Sequence, residues 1–485
     1  MSKFIQSLNV TTTENGAVTY RTTSQAVLDF FFSIGGMRHQ AEEEIINKFL
    51  VVINQDPTLA LKLLFYLRDA RQGQGERRVF RVVLRWLKES HPEMITTDFV
   101  KWIGEYGRWD DLFELMPSEK DSVIIDVIRT ELASGNALLA KWMPREKSGR
   151  KALAVSLRKQ LGWTPKQYRK TLSNLTKVVE QQMCAGEWEQ INFEQVPSVA
   201  ALRYRKRFFK LTRYHHYLED VRHGKAKMHA DVLYPHNIIE QLMPDQYNRR
   251  FETLKIEATE NEALELQWQA LPNYLPKDSP VKMLPLVDVS GSMYTSSKPS
   301  AITVALSLGL YLSERNEGPF HNCFITFSNS PQLVTLTGES LISRLHQMSM
   351  ADWGMNTNFE AVFDLILTRA MAVELDPSEM PTHLLVLSDM HFDSATREGH
   401  TIFESIQQKY ALAGYPCPKI VFWNLNARGQ NYPVQSHQSG AALVSGYSPS
   451  ILGNILSQDL DELSPMQVML DVLNSPRYQQ IRLVA

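Results

Sequence analysis

At 485 residues the chain is long enough for two or three domains, each burying a core of its own. Hydrophobic residues make up 44% and charged residues 21%, and no apolar run approaches the roughly 20 residues of a membrane span, which excludes a helical membrane anchor. The net charge of −2 hides a strong asymmetry: residues 141–230 carry 20 Lys or Arg against 7 Asp or Glu (+13), whereas residues 281–485 carry 11 against 18 (−7).

Residues 1–23 lack the apolar core and cleavage pattern of a secretory signal. The three cysteines, Cys184, Cys323 and Cys417, are too scattered for a disulfide framework or a zinc cluster. Both features lead to the expectation of a reducing, cytoplasmic setting. Alternation on either side of Asn15-Gly16 predicts a short hairpin or extension over 1–23, a cap at most.

From Ser24 to residue 257 the spacing becomes helical and the breaks short, as at Asp56-Pro57, His91-Pro92 and Thr164-Pro165, where Asp or Thr before Pro is N-cap chemistry. Helix following helix with brief connections predicts an all-α, helical-repeat (HEAT-like) domain of antiparallel pairs. Gly73-Gln74-Gly75 lacks the Gly-Lys-Ser/Thr ending of a phosphate-binding loop.

Two basic stretches, 142–151 and 203–214, make Arg145, Lys147, Arg150, Arg205, Arg207 and Arg213 candidates for neutralising RNA phosphates. In the second stretch Phe208, Phe209 and Tyr214 interleave with the cations in a pattern suited to base stacking, although for the aromatics alone a helix core is the better reading. His215, His216 and His229 have no paired carboxylate motif and read as ordinary polar residues.

Residues 258–280, with Pro272 and Pro276, read as a linker. Beyond it, over 281–485, buried-type strands near 283–288, 322–327, 383–389 and 419–424 alternate with helical spacings, the pattern of an α/β doubly wound (Rossmann-like) parallel sheet. Ligands of such sheets sit at the carboxyl ends of the strands.

The first of these strands runs into Asp288-x-Ser290-x-Ser292, where alternate positions converge three oxygen-bearing side chains and Gly291 permits the tight turn. An all-oxygen shell suits a hard divalent cation such as Mg2+. With Thr357 and with Asp389 after the third strand, the loop resembles the metal-ion-dependent adhesion site (MIDAS) of von Willebrand factor A domains. The resemblance implies that Ser290, Ser292 and Thr357 ligate the ion directly. Asp288 and Asp389 would act through water and hydrogen bonds, leaving a sixth position open to an acidic group from a partner. Asp393, a little further on, reads as a solvated loop residue.

An all-helical region followed by such a domain resembles the Ro autoantigen family, whose helical part is called TROVE. The segments Leu67-Arg68-Asp69-Ala70-Arg71-Gln72-Gly73-Gln74-Gly75-Glu76-Arg77-Arg78 and Trp142-Met143-Pro144-Arg145-Glu146-Lys147, with Asp288-Val289-Ser290-Gly291-Ser292-Met293, are similar to an uncharacterised TROVE-related family. Ro proteins are ribonucleoprotein components that bind small structured RNAs on a basic outer face and single-stranded ends in a central hole. The resemblance therefore implies a non-catalytic RNA-binding scaffold, without transferring individual RNA contacts. The alternative is a protein-interaction adaptor that uses the metal site without RNA. A metal-dependent nuclease is least favoured, because one metal with hydroxyl ligands lacks a general base and a second metal.

Overall fold

The computed structural model describes the chain apart from residues 1–8, 177–178, 244–257, 276–280, 295–297, 329, 352–357, 393–401, 428, 430, 456–463 and 484–485. Its first described elements are β1 (Val10–Thr12) and β2 (Val18–Tyr20), an antiparallel pair in the register Thr11↔Thr19. Gly16 takes a φ of +89° in the turn, a conformation a side chain would disfavour.

A run of helices follows, several packing on their sequence neighbours, as Glu42–Gln55 does on Pro57–Arg68 and Thr97–Tyr106 on Asp121–Ala133. Several of their starts are set by local chemistry. Asp56 accepts from the Leu59 amide at 2.9 Å and Pro57 fills the first position, where no amide is needed. Thr96 accepts from the Phe99 amide, and Thr164 and Gln167 exchange side-chain-to-backbone hydrogen bonds in a capping box. The helix Arg78–Ser90 buries Val79, Phe80, Val83, Leu84 and Leu87 along one stripe while Arg81 and Arg85 meet acids on the opposite side. Behind it Arg68 and Asp111 form an ion pair at 2.7 Å, both nearly or fully buried, and Arg77 and Arg81 also reach Asp111.

The second part holds a six-stranded sheet of β3 (Met283–Val287), β4 (Cys323–Thr326), β5 (Leu333–Thr335), β6 (His383–Ser388), β7 (Lys419–Asn424) and β8 (Ala441–Ser445). The order is β5-β4-β3-β6-β7-β8. All neighbours are parallel except β4 and β5. The sheet is thus mixed where the strand–helix alternation predicts a parallel one: only a few residues join β4 to β5, too few for a crossover, so that edge turns back as a hairpin. Strands β3, β4, β6 and β8 are buried along their whole length, as strands covered on both faces must be. The chain leaves β3 toward β4 on one side and returns to β6 on the other, so the carboxyl ends of β3 and β6 flank the point where the winding reverses.

The two parts share one apolar core. The helix Ala26–Ile34 packs on β8 and β7, and the helix Pro235–Leu242 packs on the helix Ala301–Arg315. The approach is backbone against backbone: a Cβ on Gly35 would stand 2.4 Å from Gly446, and one on Gly446 would stand 1.6 Å from the Gln74 carboxamide oxygen. Ser445 donates to the Phe31 carbonyl at 2.8 Å, and Arg477 grips the buried Asp69 with two hydrogen bonds of 2.7 and 3.0 Å. Gln74, in the glycine pair that is no phosphate loop, is therefore a buried junction residue.

The stretch 258–280 differs from a simple linker. Residues Ala258–Gln269 form a helix that buries Ala263, Leu264, Leu266 and Trp268, and the Trp268 indole donates to Glu314 at 2.6 Å. Its apolar residues are too few for a strong sequence signal and find their burial on elements distant in the chain. A second, smaller core lies under the helices Ser198–Phe208 and Thr212–Arg222. Phe208 and Tyr214 belong to it and pack ring to ring at 5.4 Å, so neither is exposed for base stacking.

Candidate metal centre and basic surface

Asp288 directly follows β3 and is fully buried. One carboxylate oxygen accepts from the Ser290 amide at 2.8 Å, the turn made by the Asp-x-Ser spacing, and the other accepts from the Ser388 hydroxyl at 2.6 Å. The sheet register makes the second contact inevitable: Val287 pairs with Leu387, so Asp288 and Ser388 end neighbouring strands together. The Ser290 and Ser292 hydroxyls lie 3.2 Å apart. Asp389 follows β6, is 3% exposed, and accepts from the His391 amide at 3.4 Å.

Four of the five metal-site residues read from the sequence, Asp288, Ser290, Ser292 and Asp389, thus gather at the reversal point of the sheet. Thr357 and Asp393 lie outside the described residues. Burial first, and the Asp389 charge second, raise the Asp288 pKa well above the usual carboxylate range. Two buried carboxyl groups that oppose each other's ionisation, beside two close hydroxyls, form a donor set suited to a hard divalent cation, whose charge would offset both effects. Among the described residues no three His, Cys, Asp or Glu side chains cluster as an alternative metal site.

Ser388 carries no site role in the sequence reading, although its place beside Asp389 in the motif was the available signal. The hairpin supplies the other unforeseen wall. Thr13 donates to the Phe392 carbonyl at 2.6 Å, Asn15 to the His391 carbonyl at 2.8 Å, and Tyr20 and Tyr432 exchange backbone hydrogen bonds of 3.0 Å. The hairpin is therefore fastened to the loop that carries Asp389.

The six basic candidates divide. Lys147, Arg150, Arg207 and Arg213 are exposed. Arg207 lies over the Trp188 ring at 5.0 Å, and Arg213 donates to the Glu189 carbonyl. Arg145 is half-buried and donates to the Ala140 carbonyl at 3.1 Å and the Thr176 hydroxyl at 3.2 Å. Arg205 is a correction: it is 7% exposed and donates to the Leu202 carbonyl and the Gln241 carboxamide at 3.0 and 2.8 Å, so it ties helices together and is unavailable to phosphate. In a basic helix the inward position also reads as Arg, and helical spacing alone does not mark it. Many further cations, among them Lys151, Lys159, Lys166, Arg169, Lys170, Arg203, Lys206 and Lys210, are exposed in the same basic segment.

The family model described as "Domain of unknown function (DUF2828)" matches residues 13–117 and 118–279, and one described as "Domain of unknown function (DUF7788)" matches residues 282–472. The chain is 32% identical to the uncharacterized protein L728 of Acanthamoeba polyphaga mimivirus, over 96% of this chain and 87% of the relative. A crystal structure of the Deinococcus radiodurans RO (RSR) protein aligns over 93% of this chain and 100% of its own, at 12% identity and a TM-score of 0.38, a likeness too distant to carry function across. The described helices include none long and apolar enough to cross a membrane.

Proposed function

We propose that this chain, which belongs to the DUF2828 family, is a non-catalytic RNA-binding scaffold with a divalent-metal site of the von Willebrand A type that takes an acidic group from a partner. The observation that carries the RNA reading is the number of exposed cations between residues 147 and 227, in a segment of +13. Such a surface releases counterions from a phosphate backbone and holds RNA without reading bases.

At the metal centre Ser290 and Ser292 would hold the ion, with Thr357 completing the hydroxyl set. Asp288, locked by Ser388 and the Ser290 amide, and Asp389 would orient its waters. The ion, when bound, would supply a positive charge at an open position for a carboxylate. Both oxygens of Asp288 already accept hydrogen bonds, from the Ser290 amide and the Ser388 hydroxyl, which favours a positioning role over proton transfer and binding over turnover.

The test is binding of the purified protein to single-stranded and to structured RNA across a salt series, with and without magnesium. Affinity that falls steeply with salt supports the scaffold. Absence of RNA binding at low salt favours the adaptor reading, in which the same metal site captures an acidic protein and the complex survives ribonuclease.

A further inference from the structure

A cavity of about 380 Å3, remote in sequence from the metal centre, opens between residues 145–147 and the helix Pro165–Leu175. Pro165, Arg169 and Ser173 recur every four residues, so one face of that helix forms a wall. Arg145, Glu146 and Lys147 form the other, with the buried Tyr168 between them.

The walls are held in place. The Tyr168 hydroxyl donates to the Pro144 carbonyl at 2.8 Å, and the Ser148 hydroxyl and amide both donate to the Arg145 carbonyl, at 2.7 and 3.0 Å. Glu146 is occupied by Arg158 at 2.8 Å. The Arg145 guanidinium is held by a carbonyl and a hydroxyl, neutral oxygens that orient it and leave its charge uncompensated. Among the described residues neither Lys147 nor Arg169 joins an ion pair.

Three cations therefore line one concavity whose single acid is already paired. Arg145 is half-buried and Lys147 and Arg169 stand exposed at the rim, so like charges gather around one concavity and repel, a cost that an anion would offset. Guanidinium groups match phosphate oxygens in pairs, and the volume falls in the range of small-ligand sites. We infer that this cavity is a nucleotide site in which Arg145, Lys147 and Arg169 hold a phosphate. For RNA as the source of that nucleotide the inference rests on the RNA-binding reading above; a free mononucleotide offers the same chemistry.

The experiment is calorimetric titration of the full chain with AMP and with a short 5′-phosphorylated oligouridine, alone and in competition. It is repeated in Arg169→Glu and Lys147→Glu, exposed positions whose substitution leaves the fold's hydrogen bonds intact, and in Lys101→Glu, an exposed position outside the cavity and outside the basic segment, as a control. AMP is expected to bind the wild-type chain and to weaken about tenfold or more in both cavity variants, with an unchanged Tm and no loss in the control. Competition between oligouridine and AMP identifies RNA as the source. AMP binding without competition supports the cavity with free nucleotide as the source and counts against RNA here. Oligouridine binding that ignores both cavity variants, with no AMP binding, overturns the nucleotide site while leaving the RNA scaffold standing. Failure of both ligands overturns the nucleotide site, and the titration with structured RNA described above then decides the scaffold.

Discussion

Lowering the pH should destabilise this protein through His236, and the size of the effect follows from where the ring sits. His236 is buried at the junction of the two parts, stacked on Tyr234 at 5.6 Å and edge-on to Tyr447 at 5.5 Å. Arg38, whose guanidinium lies 4.2 Å over Tyr447, is the nearby cation, and Glu76 pairs with that guanidinium. Burial, reinforced by the Arg38 charge, pushes the His236 pKa down to about 3 from an ordinary 6.5. The folded state therefore keeps the ring neutral while the unfolded chain takes up a proton below pH 6.5. Stability from this group is fully present above 6.5 and is lost as pH falls toward 3. At about 1.36 kcal/mol per pKa unit, the loss between pH 7.5 and pH 5 is about 2 kcal/mol. His236→Gln, a neutral side chain of similar size, removes that dependence. Urea midpoints of wild type and variant, measured at intervals from pH 7.5 to 5, should converge as pH falls by an amount matching that figure. A wild-type-minus-variant difference that stays flat over the range would mean that His236 titrates alike in the folded and unfolded chain.

Other outcomes follow from the same geometry. Asp288→Asn removes a buried carboxyl group whose ionisation burial and Asp389 oppose, so the metal-free variant should melt above wild type at neutral pH while losing any magnesium-dependent rise in Tm; scanning calorimetry with and without magnesium reads both. Ser388→Ala deletes the 2.6 Å hydrogen bond that aims Asp288 and should weaken metal affinity about 10- to 100-fold by titration. Gly446→Ala combines a φ of +96° with a Cβ 1.6 Å from Gln74, and should cost several times the ~1 kcal/mol of a tolerated glycine substitution in urea unfolding, with partial recovery when Gln74→Ala is added. Arg205→Glu should lower Tm, because a buried guanidinium is replaced by an unpaired acid, whereas Arg207→Glu should lower RNA affinity at constant Tm; equal effects of the two on Tm would contradict the assigned burial.

What the sequence determined by itself was local or periodic. Asp56-Pro57 and Thr164-Pro165 mark helix starts because a cap acts within three residues, and the buried strands of the sheet show as unbroken apolar runs because both faces are covered. Asp288, Ser290 and Ser292 were legible because a turn brings them together without help from the rest of the chain, and Asp389 because it ends the next strand to pair with β3. The tertiary structure alone decided the rest. Ser388 became a partner of Asp288 through a register linking residues 100 positions apart, and the hairpin reached Phe392 across 379. Arg205 turned inward because Gln241 and Leu202 waited there, Gln74 and Gly446 met where two backbones touch, and Arg145, Lys147 and Arg169 came to line one cavity. Periodicity tells which face of an element is apolar; it does not tell which distant surface that face will meet, and burial of polar groups depends on that meeting.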